Sequence, residues 1–323
     1  MFRKVACVGA GLIGRGWAIT FSTKGLRVSL YDADSRRLAD SMSQIETRLR
    51  FLSKHGWIPA RRVREALKNI GVEESLGEAV QNVDYVQESV FENLELKRKV
   101  FREIERHVPE NTVMASSSSS LTATSIQKGM AHPERCLVVH PWNPPYLIPL
   151  VEIVPGGETS RETVEETFRF MRSLDKEPII LRKEAPGHVA NRLQAALLRE
   201  ALNIVDKGVA SVLDVDRAVT HGPGLRWAVA GPFLTLHLAG GEGGLRGAMK
   251  HLGPSYERRW RTLAHWTHVP EKAVEEAASS IEKHVKSTSM KEAEEKRDQR
   301  LLKLLKVLKY SQSRYVKNHP QEV

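Results

Sequence analysis

Cysteine is nearly absent: the 323 residues hold only Cys7 and Cys136. Each stands in an apolar stretch that reads as a strand, so both are expected to be small buried hydrophobes in a reducing, cytoplasmic setting, and a disulfide-stapled scaffold is excluded. Long apolar runs are missing as well, since none approaches the roughly 20 residues a membrane span needs. Met1 leads straight into a strand-like segment with no signal peptide ahead of it, and a soluble chain without a membrane partner is expected. Charge segregation is also lacking. The net charge is +10 and the isoelectric point about 9.6, but basic residues alternate with acids, as in REIERHVPE and EAEEKRDQR. That pattern describes a solvated surface and argues against a nucleic-acid partner. The positive field still favours encounter with an anionic cofactor and a carboxylate substrate, without conferring specificity.

What is present is enough apolar material, 41% of residues, for two domains. Residues 4–8 form an apolar run that passes through GAGLIG into a helical pattern over 13–24, and residues 27–31 give a second strand-like run, a β-turn-α-β unit of the usual ~30-residue length. Residues 84–88, 112–115, 136–139, 150–154 and 179–181 read as further strands, with an amphipathic helix over 94–106. A charged helical hairpin is expected over 35–69, broken at HGWIP. From Gly187 onward the periodicity is helical throughout, over 190–207, 212–220, 270–285 and 290–310. The fold class expected is α/β: a Rossmann-type, mostly parallel sheet domain over residues 1–184, then an all-α domain over 185–323 for substrate binding and dimerisation.

Gly9, Gly11 and Gly14 form a GxGxxG between strand and helix. The first permits a tight turn, the second lets backbone approach a pyrophosphate, and the third lets helix pack on strand, leaving the helix N-terminus to receive negative charge. Asp32 ends the second strand about 20 residues on, where a carboxylate binds a ribose 2′-hydroxyl, so NAD is the expected cofactor. Arg36 and Arg37 lie close enough to accommodate a 2′-phosphate, but the Asp32 carboxylate repels one. The same glycines can serve a plain turn, and Asp32 can cap the next helix.

Oxidation of a secondary alcohol needs a base for the hydroxyl proton while hydride leaves carbon, and histidine suits that exchange near neutrality. His140 follows a strand and therefore stands at a carboxyl end of the sheet, where ligands bind in open α/β folds. Glu152, near the end of the next apolar run, is positioned to accept a hydrogen bond from the second ring nitrogen. By spacing alone, a structural histidine is the better reading of His140.

The segments SSSSSL, HPWNPP, LVEIV and APGHVANRL resemble, in order and spacing, those of the 3-hydroxyacyl-CoA dehydrogenase family, and the resemblance covers nearly the whole chain. It implies His140 as catalytic base and Glu152 as its orienting carboxylate, with Ser119 and Asn191 binding substrate as donors to the developing charge on oxygen. FENLELK resembles the family's E-N-L-x-x-K and implies Glu92 and Lys97 beside the nicotinamide end of the cofactor, with Asn143 close to both nicotinamide and substrate. No metal is implied.

Within the family, GPGLRWAVAGPFLTLHLAGGEGG is similar to the branch that holds the L-carnitine dehydrogenases, and more loosely to L-gulonate 3-dehydrogenase and the related lambda-crystallin. These act on small free hydroxy acids, and residues 35–69 show no lysine-rich surface for a CoA phosphate. A quaternary ammonium calls for aromatic faces, which Trp142, Trp227 and Phe233 offer, and Arg226 suits a carboxylate. The expected reaction is NAD-dependent oxidation of a small L-3-hydroxy acid, carnitine first, with gulonate or a short 3-hydroxyacyl-CoA as alternatives. A redox-inactive, crystallin-like nucleotide-binding protein is the non-enzymatic alternative. The apolar faces of the helical domain point to a homodimer.

Overall fold

The computed structural model describes residues 2–315, with side chains as far as Leu308. Contacts divide the chain into two compact units, Met1–Arg192 and Leu193–Val323.

The first unit is built on one eight-stranded sheet: β1 (Lys4–Val8), β2 (Arg27–Tyr31), β3 (Ile70–Val72), β4 (Tyr85–Glu88), β5 (Val113–Ser116), β6 (Cys136–Pro141), β7 (Leu150–Pro155) and β8 (Glu177–Ile180). Its order is β3-β2-β1-β4-β5-β6-β7-β8. The first six strands run parallel, β7 is antiparallel to β6, and β8 is parallel to β7. Strands β4, β5 and β6 are buried at every position, as a parallel sheet covered on both faces requires.

Helices α1 (Leu12–Thr23), α2 (Ser35–Lys54), α3 (Ala60–Lys68), α4 (Leu76–Val80), α5 (Leu94–Glu105), α6 (Ala123–Gln127) and α7 (Arg161–Ser173) supply the cover. Successive strand residues point to opposite faces. Val86 thus joins Val8, Phe101, Met114 and Val138 on one side. Tyr85 joins a ring cluster with Phe2, Phe21 and Phe170 on the other, where Trp17 stacks on Phe21 at 5.1 Å between centroids. The side chains of Asp34, Asn93, Thr122 and Ser160 cap α2, α5, α6 and α7, each satisfying an N–H that the first helical turn leaves unpaired.

The sheet and its helices form the mostly parallel α/β architecture that the strand and helix patterns indicate. Unanticipated are β3, α4, α6 and α7. The first three span three to five residues, too few for a periodic signal. In α7 the buried face is Thr163, Thr167, Phe170 and Met171, half of it threonine, which blurs the apolar period.

The second unit is helical, with α8 (Ala190–Asp206, its first turn within the first unit), α9 (Val212–His221), α10 (Pro223–Trp227), α11 (Pro232–Ala239), α12 (Gly244–Trp260), α13 (Glu271–Val285) and α14 (Met290–Tyr315). Among the described residues, no helix is long and apolar enough to cross a membrane. Helix α11, PFLTLHLA, is almost wholly apolar, yet none of its residues is buried.

Candidate active site

The glycine turn between β1 and α1 is constrained by backbone on two sides. A Cβ on Gly9, whose φ is +104°, would stand 2.6 Å from the Ser89 carbonyl oxygen, and one on Gly14 would stand 1.7 Å from that of Gly9. A Cβ on Gly11 would meet nothing within 4 Å. It would project into a cavity of about 600 Å³ whose walls include Gly9, Gly11, Asp32, Arg37, Ser89 and Phe91. Open space over a bare backbone at a helix N-terminus is what a pyrophosphate needs, so these residues fit a dinucleotide.

Asp32 follows β2 and is almost fully buried. Its Oδ2 accepts the Ala10 N–H at 2.7 Å and its Oδ1 the Asp34 N–H at 2.9 Å. Nη1 of Arg37 lies 3.3 Å from both carboxylate oxygens, and the guanidinium sits over the Phe91 ring, 5.1 Å from its centroid. Arg37 is thus already occupied by the carboxylate that the ribose hydroxyl would share. Arg36 enters the same turn through its backbone N–H, which donates to Asp34.

The antiparallel pairing of β6 with β7 sets His140 directly opposite Glu152, which is why residues twelve apart in sequence meet. Glu152 has no solvent exposure. Its Oε2 accepts from His140 Nδ1 at 2.9 Å and from the Trp142 indole N–H at 3.3 Å. Its Oε1 accepts the backbone N–H groups of Val189 and Ala190 at 2.8 and 3.0 Å. Burial by itself would raise the Glu152 carboxyl, but these four donors outweigh it and hold the group down at about 2. Being ionised, the carboxylate can only accept, so His140 Nδ1 carries a proton, and in the neutral ring Nε2 then bears the lone pair. A neutral imidazole oriented in this way is a proton acceptor whose charged form would be stabilised by an ionised partner.

Ser119 and Asn191 reach the same end of the sheet through neighbouring residues. Ser119 lies in the loop after β5, next to Ser118, whose carbonyl accepts a hydrogen bond from His188 Nε2 at 3.0 Å. Asn191 follows Ala190, whose N–H is held by Glu152. The residue absent from the sequence reasoning is His188. It is 2% exposed with φ +53°, and its ring lies 5.2 Å from that of His140. The Ser118 carbonyl only accepts, which fixes the proton on Nε2 and leaves the buried Nδ1 without a partner among the described residues. Its signal in the sequence is a histidine within the P-G-x-x-x-N-R segment.

Glu92 and Lys97 brace this site. Oε1 of Glu92 accepts from the Ser118 hydroxyl, the Ser119 and Ser120 N–H groups and the Ser120 hydroxyl, at 2.6 to 3.0 Å. Burial works against the charge, but these donors and Lys97 hold the carboxyl down at about 2. The Lys97 ammonium is buried, 2.7 and 3.0 Å from the two oxygens of Glu88, 3.3 Å from the Val90 carbonyl and 3.5 Å from Glu92. With that many partners, Lys97 acts on the 88–92 and 116–120 loops rather than reaching into open space. Asn143 is exposed and precedes a cis peptide bond to Pro144. The loop it belongs to is held from beneath by Lys176, whose buried ammonium donates to the carbonyls of Pro145 and Ile148.

Arg226 and Trp227 lie on α10 and Phe233 on α11, all in the second unit. Each is exposed within it, Trp227 by 44% and Phe233 by 75%.

Comparison with known proteins matches this architecture. The family model for the 3-hydroxyacyl-CoA dehydrogenase NAD binding domain covers residues 4–185, and that for the 3-hydroxyacyl-CoA dehydrogenase C-terminal domain covers 187–280. The chain is 39% identical over 303 residues to an L-carnitine dehydrogenase of Oceanobacillus iheyensis, covering 94% of this chain and 97% of that one. It is 42% identical over 235 residues to the lambda-crystallin of Oryctolagus cuniculus, covering 72% and 74%. Among solved structures, a 3-hydroxyacyl-CoA dehydrogenase from Archaeoglobus fulgidus superposes with a TM-score of 0.66 at 33% identity, covering 95% of this chain and 99% of that one. The chain therefore belongs to the 3-hydroxyacyl-CoA dehydrogenase family of NAD-dependent oxidoreductases.

Proposed function

We propose that this protein oxidises L-carnitine at its 3-hydroxyl to 3-dehydrocarnitine. The observation that carries the chemistry is the pairing of His140 with a fully buried, ionised Glu152 at 2.9 Å, which leaves Nε2 as proton acceptor. NAD+, when bound, accepts the hydride from the alcohol carbon. His140 takes the hydroxyl proton as the carbonyl forms, and Glu152 stabilises the resulting imidazolium. Ser119 and Asn191 donate hydrogen bonds to the oxygen that is becoming a carbonyl, and Glu92 holds Ser119 through its backbone.

The choice of carnitine is supported by several L-carnitine dehydrogenases among the relatives at 38–44% identity. It is supported also by the chemistry of the side chains. A trimethylammonium group has no N–H to donate and is recognised by aromatic faces, worth about 0.5–2 kcal/mol each. Trp142 is fixed beside His140 by its bond to Glu152, with ring centroids 6.4 Å apart. By their chemistry, Trp227 and Phe233 offer further aromatic faces suited to a trimethylammonium and Arg226 a partner suited to a carboxylate, and in this reading Asn143 contacts nicotinamide and substrate.

The exposed apolar surface of the second unit, including Leu193, Leu198 and Leu234, supports a homodimer formed through that unit. Two buried, unpaired thiols are consistent with a cytoplasmic setting. The test is NADH formation with L-carnitine, L-gulonate and 3-hydroxybutyryl-CoA in parallel. Carnitine is expected to give the highest kcat/KM, and turnover of either other substrate with none of carnitine refutes the assignment.

A further inference from the structure

The hydrogen-bond partners of Ser117 permit one arrangement of protons. The Trp17 indole N–H, a donor only, points at Ser117 Oγ at 3.2 Å, and Gln87 Nε2 donates to the same oxygen at 2.8 Å. The Gln87 amide is oriented independently: Nε2 also donates to the Val139 carbonyl at 3.2 Å, and Oε1 accepts from the Tyr85 hydroxyl at 2.8 Å. Trp17, Tyr85 and Gln87 are all fully buried, so no water competes for these groups. A serine hydroxyl has two lone pairs and one proton. Both lone pairs of Ser117 are taken, and its proton is directed to Ser89 Oγ at 2.8 Å.

Ser89 therefore accepts from Ser117, and its own proton is left for a partner elsewhere. Ser89 directly follows β4 on the wall of the dinucleotide cavity. It adjoins the glycine turn, its backbone carbonyl abutting Gly9 and its Cβ 3.7 Å from the position of a Cβ on Gly14. We propose that Ser89 is a cofactor-binding residue whose hydroxyl is held as a hydrogen-bond donor to an acceptor oxygen of NAD by the relay through the buried Trp17 and Gln87 and the partly buried Ser117. Pyrophosphate oxygens accept only, so a hydroxyl prevented from presenting its lone pairs suits them best. A ribose hydroxyl on the nicotinamide side offers the same acceptor chemistry. The proposal rests on NAD as the cofactor.

Titration calorimetry of the full-length wild type and S89A with NAD, ADP-ribose and ADP tests it without turnover. S89A is expected to bind NAD about ten- to 150-fold more weakly, the range for one hydrogen bond to a charged group, with an unchanged melting temperature. A matching loss with ADP assigns the pyrophosphate, whereas a loss with ADP-ribose and NAD alone assigns the ribose. Equal affinity of S89A and wild type for all three overturns the proposal. A wild type that binds none of them overturns the cofactor reading beneath it. The relay is tested by a double-mutant cycle. W17F or, should W17F fold poorly, S117A is expected to weaken NAD binding when Ser89 is present and to add nothing in the S89A background. An equal loss in both backgrounds overturns the relay.

Discussion

Glu152→Gln replaces an acceptor-only group with one that accepts on one side and donates on the other, in a site where all four partners donate to the carboxylate. Two orientations are available to the amide. With its NH2 toward the backbone, it opposes the Val189 and Ala190 N–H groups, now 2.8 and 3.0 Å from Oε1, leaving two part-buried donors unsatisfied at up to about 1–3 kcal/mol each. With its NH2 toward the ring, it sacrifices only the longer Trp142 bond of 3.3 Å and donates to His140 Nδ1. The second orientation wins, and it moves the imidazole proton to Nε2, the nitrogen that must accept from substrate. A carboxylate-to-amide change behind a catalytic histidine costs about 10⁴-fold where the tautomer is inverted in this way. We therefore expect kcat to fall by about 10³ to 10⁴ in the NADH assay, roughly 4–5.5 kcal/mol, with NAD affinity unchanged. An E152Q enzyme that folds and retains kcat within about tenfold of wild type refutes the tautomer argument.

Gly11→Ala is expected to melt like wild type, because its Cβ meets nothing, yet to bind NAD more weakly in calorimetry; G14A, with its Cβ on backbone, is expected to be destabilised. For His188, H188F keeps a ring and removes the donor to Ser118, so kcat is expected to fall about fivefold, one neutral hydrogen bond. H188Q, whose amide nitrogen reaches the same carbonyl, is expected to restore most of it; equal losses in both variants would contradict a role through that bond. Acid stability follows from Glu152, whose folded pKa of about 2 lies below the unfolded value of 4.5. Its stabilisation is present above about pH 4.5 and lost as pH falls toward 2, on the order of 2–3 kcal/mol for so buried a group. Melting temperatures measured across that range are expected to fall more steeply for wild type than for E152Q. Glu92, shifted the same way but partly exposed, contributes less.

Apolar runs and glycine punctuation carried the sheet legibly because its central strands are buried on both faces, so each appears as a short unbroken hydrophobic block. The antiparallel turn from β6 to β7 was not visible in that pattern, since the loop of residues 142–149 has no helical or hairpin signature. It is nevertheless what sets His140 against Glu152. Spacing alone left that pair no stronger than a structural histidine with a distant glutamate, and family motifs were needed to join them. His188 stands inside the P-G-x-x-x-N-R motif, but the motif does not encode its burial or its bond to the Ser118 carbonyl, which depend on how the loop folds. Lys97 was legible as part of a motif, but its burial between Glu88 and Glu92 depends on strand β4 and helix α5 converging, which pairwise spacing does not encode.

If His140 removes the hydroxyl proton while NAD takes the hydride, losing the imidazole abolishes turnover and leaves the cofactor site intact. The most direct test compares wild type with His140→Ala at saturating NAD and L-carnitine, with NAD binding measured alongside. NADH formation is expected from wild type and none above background from H140A, with the same NAD affinity for both. Turnover by H140A comparable to wild type would contradict it.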